Sequence, residues 1–328
     1  MSVPPESTTR RRNLALNLAF AIAGGALLYV TVRRVGWADV QSSVTAIGWW
    51  YAAVLLLGGL RFAARSTAWT VCAQPERLPV RSAFAATLVG DALGNLTPLG
   101  LLASEPAKVF MVRGRIPVVT AVASVAAENA FYMTSVVAMI AAGAVAFFQI
   151  AEVPPLLGRI AQATLAATAV AALLGVWTAR RRPAVLTRLA RLVSTMTGRA
   201  SSSVDRLREI EIHFYALLMW PARRIARAFF WEALFHVGAV AEVFLVLQIV
   251  SSGATLLQAF VLETTGRLIV VAFKFIPYRL GVDEAGTALV ASALTLEPTV
   301  GVTLALVRRL RILVWNGVGL GVLAFRRG

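Results

Sequence analysis

Long runs of apolar residues with almost no charge recur along this chain, and they constrain its fold more than any other feature. About 20 such residues in a row are what an α-helix needs to cross the hydrocarbon core of a bilayer. With 58% apolar and 15% charged residues and a mean hydropathy of +0.74, the chain is too apolar for a soluble globule or a disordered segment. Lipid offers backbone groups no hydrogen bonds, so spanning segments must satisfy them internally. The expectation is an all-α polytopic membrane protein, one integral domain over 1–328.

Spans are predicted at 13–32, 47–68, 117–149, 159–178, 228–250 and 300–325. The first lies behind Arg10, Arg11 and Arg12 and ends in Arg33-Arg34 without a small-residue cleavage site, so it reads as an uncleaved span rather than a signal peptide. The second carries Trp49, Trp50 and Tyr51 as an aromatic belt and is expected to end near Arg61 and Arg65. The segment 180–227 holds eleven arginines and reads as a cytoplasmic linker. Within it, 204–220 mixes charged and apolar residues at helical spacing, as in an interfacial amphipathic helix. The net charge of +16 is accordingly assigned to cytoplasmic ends facing anionic lipid, and no nucleic-acid partner is expected.

Two further apolar stretches, 82–112 and 254–295, are interrupted by Thr97-Pro98-Leu99-Gly100 and by Pro277 to Gly281. Pro and Gly together stop a helix, and each remaining arm is too short to cross. Basic residues flank the first stretch, and none flanks the second. Both therefore read as re-entrant hairpins, entering from the cytoplasm and from outside respectively. Six full transmembrane helices plus two hairpins put the N- and C-termini in the cytoplasm. Pro98 and Glu105 recur as Pro277 and Glu284 after a shift of 179, and the same shift carries the order span, hairpin, span from 47–149 onto 226–328. Opposed charge bias makes this an inverted repeat, the arrangement transporters use to place substrate near the midplane. As symmetry mates, Glu105 and Glu284 are expected to behave alike.

Charge at the centre of a transmembrane helix costs about 2.5–3.5 kcal/mol per residue. Asp91, Glu105, Lys108, Glu128, Glu242, Glu263, Arg267, Lys274, Asp283 and Glu284 nevertheless fall at membrane depth, as do Arg308, Arg309 and Arg311 in the last span. They must face a cavity, pair with one another, or meet a substrate. Glu105 with Lys108 and Glu263 with Arg267 are one turn apart and can pair locally. Lys274, Arg279, Arg308, Arg309 and Arg311 are expected as an excess of buried cation around the second hairpin, suited to a phosphate. Asp283-Glu284 opens the helix after Gly281. These acids would compete with a phosphate there, cap the helix, or carry a coupling proton.

These residues carry a resemblance. Gly94-Asn95-Leu96-Thr97-Pro98-Leu99-Gly100 leading to Glu105-Pro106-Ala107-Lys108, and Ile276-Pro277 followed by Leu280-Gly281-Val282-Asp283-Glu284-Ala285-Gly286, resemble two signatures of one family. It is the lysylphosphatidylglycerol synthase transmembrane-region family, also called flippase-like domain proteins. Arg308 or Arg309 fits the family's arginine in the last span, and the resemblance covers about 14–325. It implies translocation of a membrane lipid, an anionic phospholipid or a polyprenyl-linked lipid, in the bacterial cytoplasmic membrane. Asn95, Lys108 and the cations above would lie at the headgroup, with Glu105, Glu128, Asp283 and Glu284 as coupling or structural carboxylates. Two departures stand out: Ala103-Ser104 replaces a glycine pair, and Glu128-Asn129 replaces a Glu-Arg pair. The family's soluble aminoacyl-transfer domain has no counterpart in these 328 residues, so synthase activity is not expected.

A membrane-embedded lipid-phosphate transferase and a lipid-binding accessory protein are the competing readings. HExxH, P-loop and nucleotide-binding glycine motifs are missing, and adjacent carboxylates on a helix point apart. Cys72 is the only cysteine, which rules out an intrachain disulfide framework and cysteine-based metal clusters. No cofactor, metal or catalytic residue is expected.

Overall fold

The computed structural model describes residues 37–96, 100–150, 155–181, 202–273 and 281–325, together with Arg33, Ala184, Thr187, Arg188 and Arg191. The expected span at 13–32, the breaks Pro98 and Pro277, the cations Lys274 and Arg279, and most of 182–201 lie outside the described residues.

Helix α1 (Trp37–Ile47) leads through a short 3-10 turn into α2 (Tyr51–Cys72). Then come α3 (Val80–Leu96), α4 (Gly100–Val112), α5 (Val118–Ile150) and α6 (Pro155–Arg181). The amphipathic stretch forms α7 (Ser202–Tyr215), packed against α5. Next are α8 (Ala222–Val250), α9 (Leu256–Ala272), α10 (Val282–Ala293) and α11 (Pro298–Phe325). Among the described residues, four helices are long and apolar enough to cross a bilayer: Val44–Cys72, Val118–Gln149, Pro155–Arg181 and Ala222–Val250. At 28 residues α11 reaches ~42 Å, but Arg308, Arg309 and Arg311 near its middle set it apart.

The two interrupted stretches are helix pairs, with arms of 17 and 13 residues in α3 and α4 and of 17 and 12 residues in α9 and α10. Each arm is shorter than a bilayer requires. Gly281 precedes α10 at φ 77°, a conformation that costs other residues strain. Its N–H donates to Glu284 Oε2 at 2.8 Å, which caps the new helix. Thr255 and Gln258 cap α9 reciprocally, and Gln258 Nε2 also donates to Leu294 O at 2.9 Å, joining the far ends of the pair.

One expectation needs correction. Helix α2 continues to Cys72 instead of ending near Arg61 and Arg65, so both arginines lie inside it, with Arg61 buried. Nothing in the sequence before the Gln74-Pro75 turn breaks the helix. The carbonyls of Val71, Cys72 and Gln74 then accept hydrogen bonds from Arg224 of α8 at 2.7–3.1 Å. That contact supplies donors that the helix end lacks.

Helices α2 and α8 pack side by side at the centre. Helix α3 lies on α11 and α9 lies on α5. Both crossings use glycine: a Cβ on Gly319 would collide with the Leu88 carbonyl of α3, and one on Gly143 with Thr264 of α9. Small residues at such crossings give close backbone approach where lipid supplies no hydrophobic drive for helix association.

Candidate functional site

Between the two broken pairs and the central helices lies a cavity of about 320 Å³. Residues from α2, α3, α4, α5, α8, α9, α10 and α11 line it. Of the residues expected at the site, Asn95, Gly100, Glu105, Lys108, Asp283, Arg308, Arg309 and Arg311 line this one space. Glu128 and Glu284 stand behind the wall, each against a lining arginine. Five more charged residues line it: Arg61, Arg65, Asp91, Glu263 and Arg267.

Among the described residues, each lining cation is held by a carboxylate. Glu242 is buried and bridges two helices, accepting from Arg61 Nη1 at 2.6 Å and from Arg311 Nε at 2.7 Å. Glu263 likewise accepts from Arg267 Nε at 2.8 Å and pairs with Arg308 Nη2. Arg65 Nε donates to Glu128 Oε1 at 2.6 Å, and its Nη2 donates to Asn129 Oδ1 at 2.9 Å. Arg309 Nη2 lies 2.7 Å from Glu284 Oε1, and Lys108 Nζ lies 3.1 Å from Glu105 Oε1. The pairs Glu105–Lys108 and Glu263–Arg267 are those their spacing predicts.

Among the described residues the lining cations are balanced by carboxylates, while Lys274 and Arg279, the other two cations of the expected excess, lie outside the described residues. Seven cations line the space, and the seven carboxylates of Asp91, Glu105, Glu128, Glu242, Glu263, Asp283 and Glu284 line it or pair with its wall. Desolvation explains the balance, because a guanidinium sealed from water without a counterion costs several kcal/mol. Pairing still leaves donors free, since a guanidinium carries five N–H groups. Arg61 Nε and Arg267 Nη2 are buried with no hydrogen-bond partner among the described residues.

Aromatic rings fix the arginine planes. Arg65 lies 4.0 Å from the Tyr132 ring centroid, whose hydroxyl accepts from Arg267 Nη1 at 3.1 Å. Phe235 faces both Arg61 and Arg267, at 4.8 and 5.0 Å. Arginine suits such stacking through its flat, weakly hydrated head. On the α3 side, Asn95 Nδ2 donates to Asp91 Oδ2 at 3.0 Å and to Asn316 Oδ1 of α11 at 3.1 Å.

Asp283 and Glu284 have separate places. Glu284 is buried as the cap of α10 and partner of Arg309, whereas Asp283 lines the cavity. Glu105 and Glu284 also differ, since the Glu105 side chain is 24% exposed and that of Glu284 fully buried. That difference argues against their behaving alike. Arg61, Arg65, Asp91, Arg267, Glu242 and Glu263 are not among the site residues expected from sequence. The last four stand out there only as charges at membrane depth. Arg61 and Arg65 were hidden because a basic residue at the end of an apolar run reads as its cytoplasmic border. Where the resemblance leads one to expect Arg at 129, Asn129 receives a guanidinium from α2 instead. Among the described residues no three His, Cys, Asp or Glu side chains cluster as a metal site.

The family model for the lysylphosphatidylglycerol synthase TM region matches residues 15–321. No curated protein and no solved structure matches the chain.

Proposed function

The chain belongs to the lysylphosphatidylglycerol synthase transmembrane-region family, and from that premise we propose that it is a lipid flippase-like transporter of the bacterial cytoplasmic membrane. The observation that carries this reading is the cavity: seven basic side chains around about 320 Å³, with unpartnered N–H groups on Arg61 and Arg267. Its substrate is a lipid with an anionic headgroup, a phospholipid or a polyprenyl-linked lipid. The headgroup crosses through the cavity while the tails stay in the bilayer. A phosphate oxygen replaces one carboxylate oxygen on an arginine without exposing the guanidinium to hydrocarbon. Charge balance among the described lining groups thus disfavours entry of bare ions and leaves the arginines open to exchange.

In this reading α3/α4 and α9/α10 are re-entrant hairpins from opposite leaflets, and six full spans complete an inverted repeat with both termini cytoplasmic. The short arms support it. So does the packing, because α3 on α11 and α9 on α5 are counterparts under the 179-residue shift. The chain is then not an enzyme. Reconstitution with fluorescent phosphatidylglycerol and dithionite quenching tests this. Faster exchange between leaflets, with the lipid recovered unaltered by mass spectrometry, is expected. A covalently altered lipid would favour a transferase. Bound lipid without exchange would favour an accessory protein.

A further inference from the structure

Glu232 lies on α8, one turn before His236, and is fully buried. Neither of its carboxyl oxygens has a hydrogen-bond partner among the described residues. The cavity does not use it, since it is not among the lining residues. The charged groups that act on it come from the helices around it: Arg65 on α2, Lys108 on α4, Glu128 on α5 and Arg267 on α9. Cys72 of α2 also lies within its field. The α11 arginines are taken up by Glu242, Glu263 and Glu284. On α8 itself, His236 Nε2 meets Ser135 Oγ at 2.9 Å, while its Nδ1 is buried without a partner.

An ionised carboxylate sealed from water with neither oxygen bonded bears its full desolvation cost. A salt bridge would remove that cost, but the nearby cations are committed elsewhere: Arg65 to Glu128, Lys108 to Glu105 and Arg267 to Glu263. A proton also removes it. The geometry points to Glu232 as a proton-binding site linked to occupation of the cavity, and only the coupling to transport rests on the flippase reading above. When an anionic headgroup draws Arg65 away from Glu128, two carboxyl groups are left with less cation between them. Both cannot then stay ionised. The proton on Glu232 is therefore held more tightly while the headgroup occupies the cavity and more loosely once Arg65 returns to Glu128, so occupation by anion and by proton favour each other.

The full chain in liposomes tests this by two routes. In infrared difference spectra over a pH titration, the wild type shows the carbonyl band of a buried protonated carboxyl. Glu232→Gln lacks it, and Glu232→Asp shifts it. A wild type without the band, or Glu232→Gln retaining it, overturns the proposal. In the second route, fluorescent phosphatidylglycerol exchange is followed under an imposed gradient of two pH units, which biases a one-proton equilibrium by up to about 100-fold. The wild type responds to the gradient, whereas Glu232→Gln exchanges lipid at a rate indifferent to it. A variant responding like the wild type, or a wild type that exchanges lipid without responding, overturns the coupling. A band specific to Glu232 in a wild type that moves no lipid upholds the proton site and removes the transport reading instead.

Discussion

Replacing Glu242 by leucine should separate what holds this protein together from what it does. Glu242 is 1% exposed and joins Arg61 of α2 to Arg311 of α11 from its place on α8. Removing it leaves two guanidinium groups, with side chains 10% and 12% exposed, and no carboxylate between them. Breaking a buried ion pair from one side costs about 3–5 kcal/mol. Arg61 keeps its ring contact with Phe235 at 4.8 Å, worth ~0.5–2 kcal/mol and present before and after the change, so it cannot offset the loss. The expected cost is thus a large share of a net stability of ~5–15 kcal/mol, and a factor of about 100 or more in the folding equilibrium. The triple change Arg61→Leu, Glu242→Leu and Arg311→Leu removes the whole buried triad. Replacing such a triad by apolar residues is often neutral or stabilising by about 1–4 kcal/mol. Denaturant unfolding in detergent should therefore rank wild type and triple variant together, well above Glu242→Leu. The triple variant should fail to move lipid, because Arg61 and Arg311 line the cavity. If Glu242→Leu is as stable as wild type, or the triple variant is no better than the single one, the argument from desolvation is wrong.

Arg308→Ala and Arg309→Ala should each insert and fold but lose lipid exchange, and normal transport in the double variant would remove the basis for a headgroup site on α11. Glu284→Gln weakens the cap on Gly281 and the pair with Arg309 in a fully buried place, so it should cost ~1–3 kcal/mol by thermal unfolding. Glu105→Gln, at a side chain that lines the cavity and is 24% exposed, should cost less than ~1 kcal/mol, and equal costs would contradict the difference in burial. In a Cys72→Ser background, Pro98→Cys and Pro277→Cys should resist impermeant maleimide added to the bulk, and labelling of both from the same face would sink the opposed hairpins.

The membrane class of this chain, its helix breaks and its local ion pairs were legible from residue order alone. Each depends on neighbours close in sequence: an apolar run long enough to span, Gly281 where the helix must restart, Glu263 one turn before Arg267. The charge balance of the cavity was not legible. Arg61 meets Glu242 across 181 positions, and Arg65 meets Glu128 across 63. No periodicity within a helix foretells a partner on another. Only packing of α2 against α8 and α5 brings those groups within hydrogen-bond reach, and desolvation then selects the arrangement in which every described lining cation has a carboxylate.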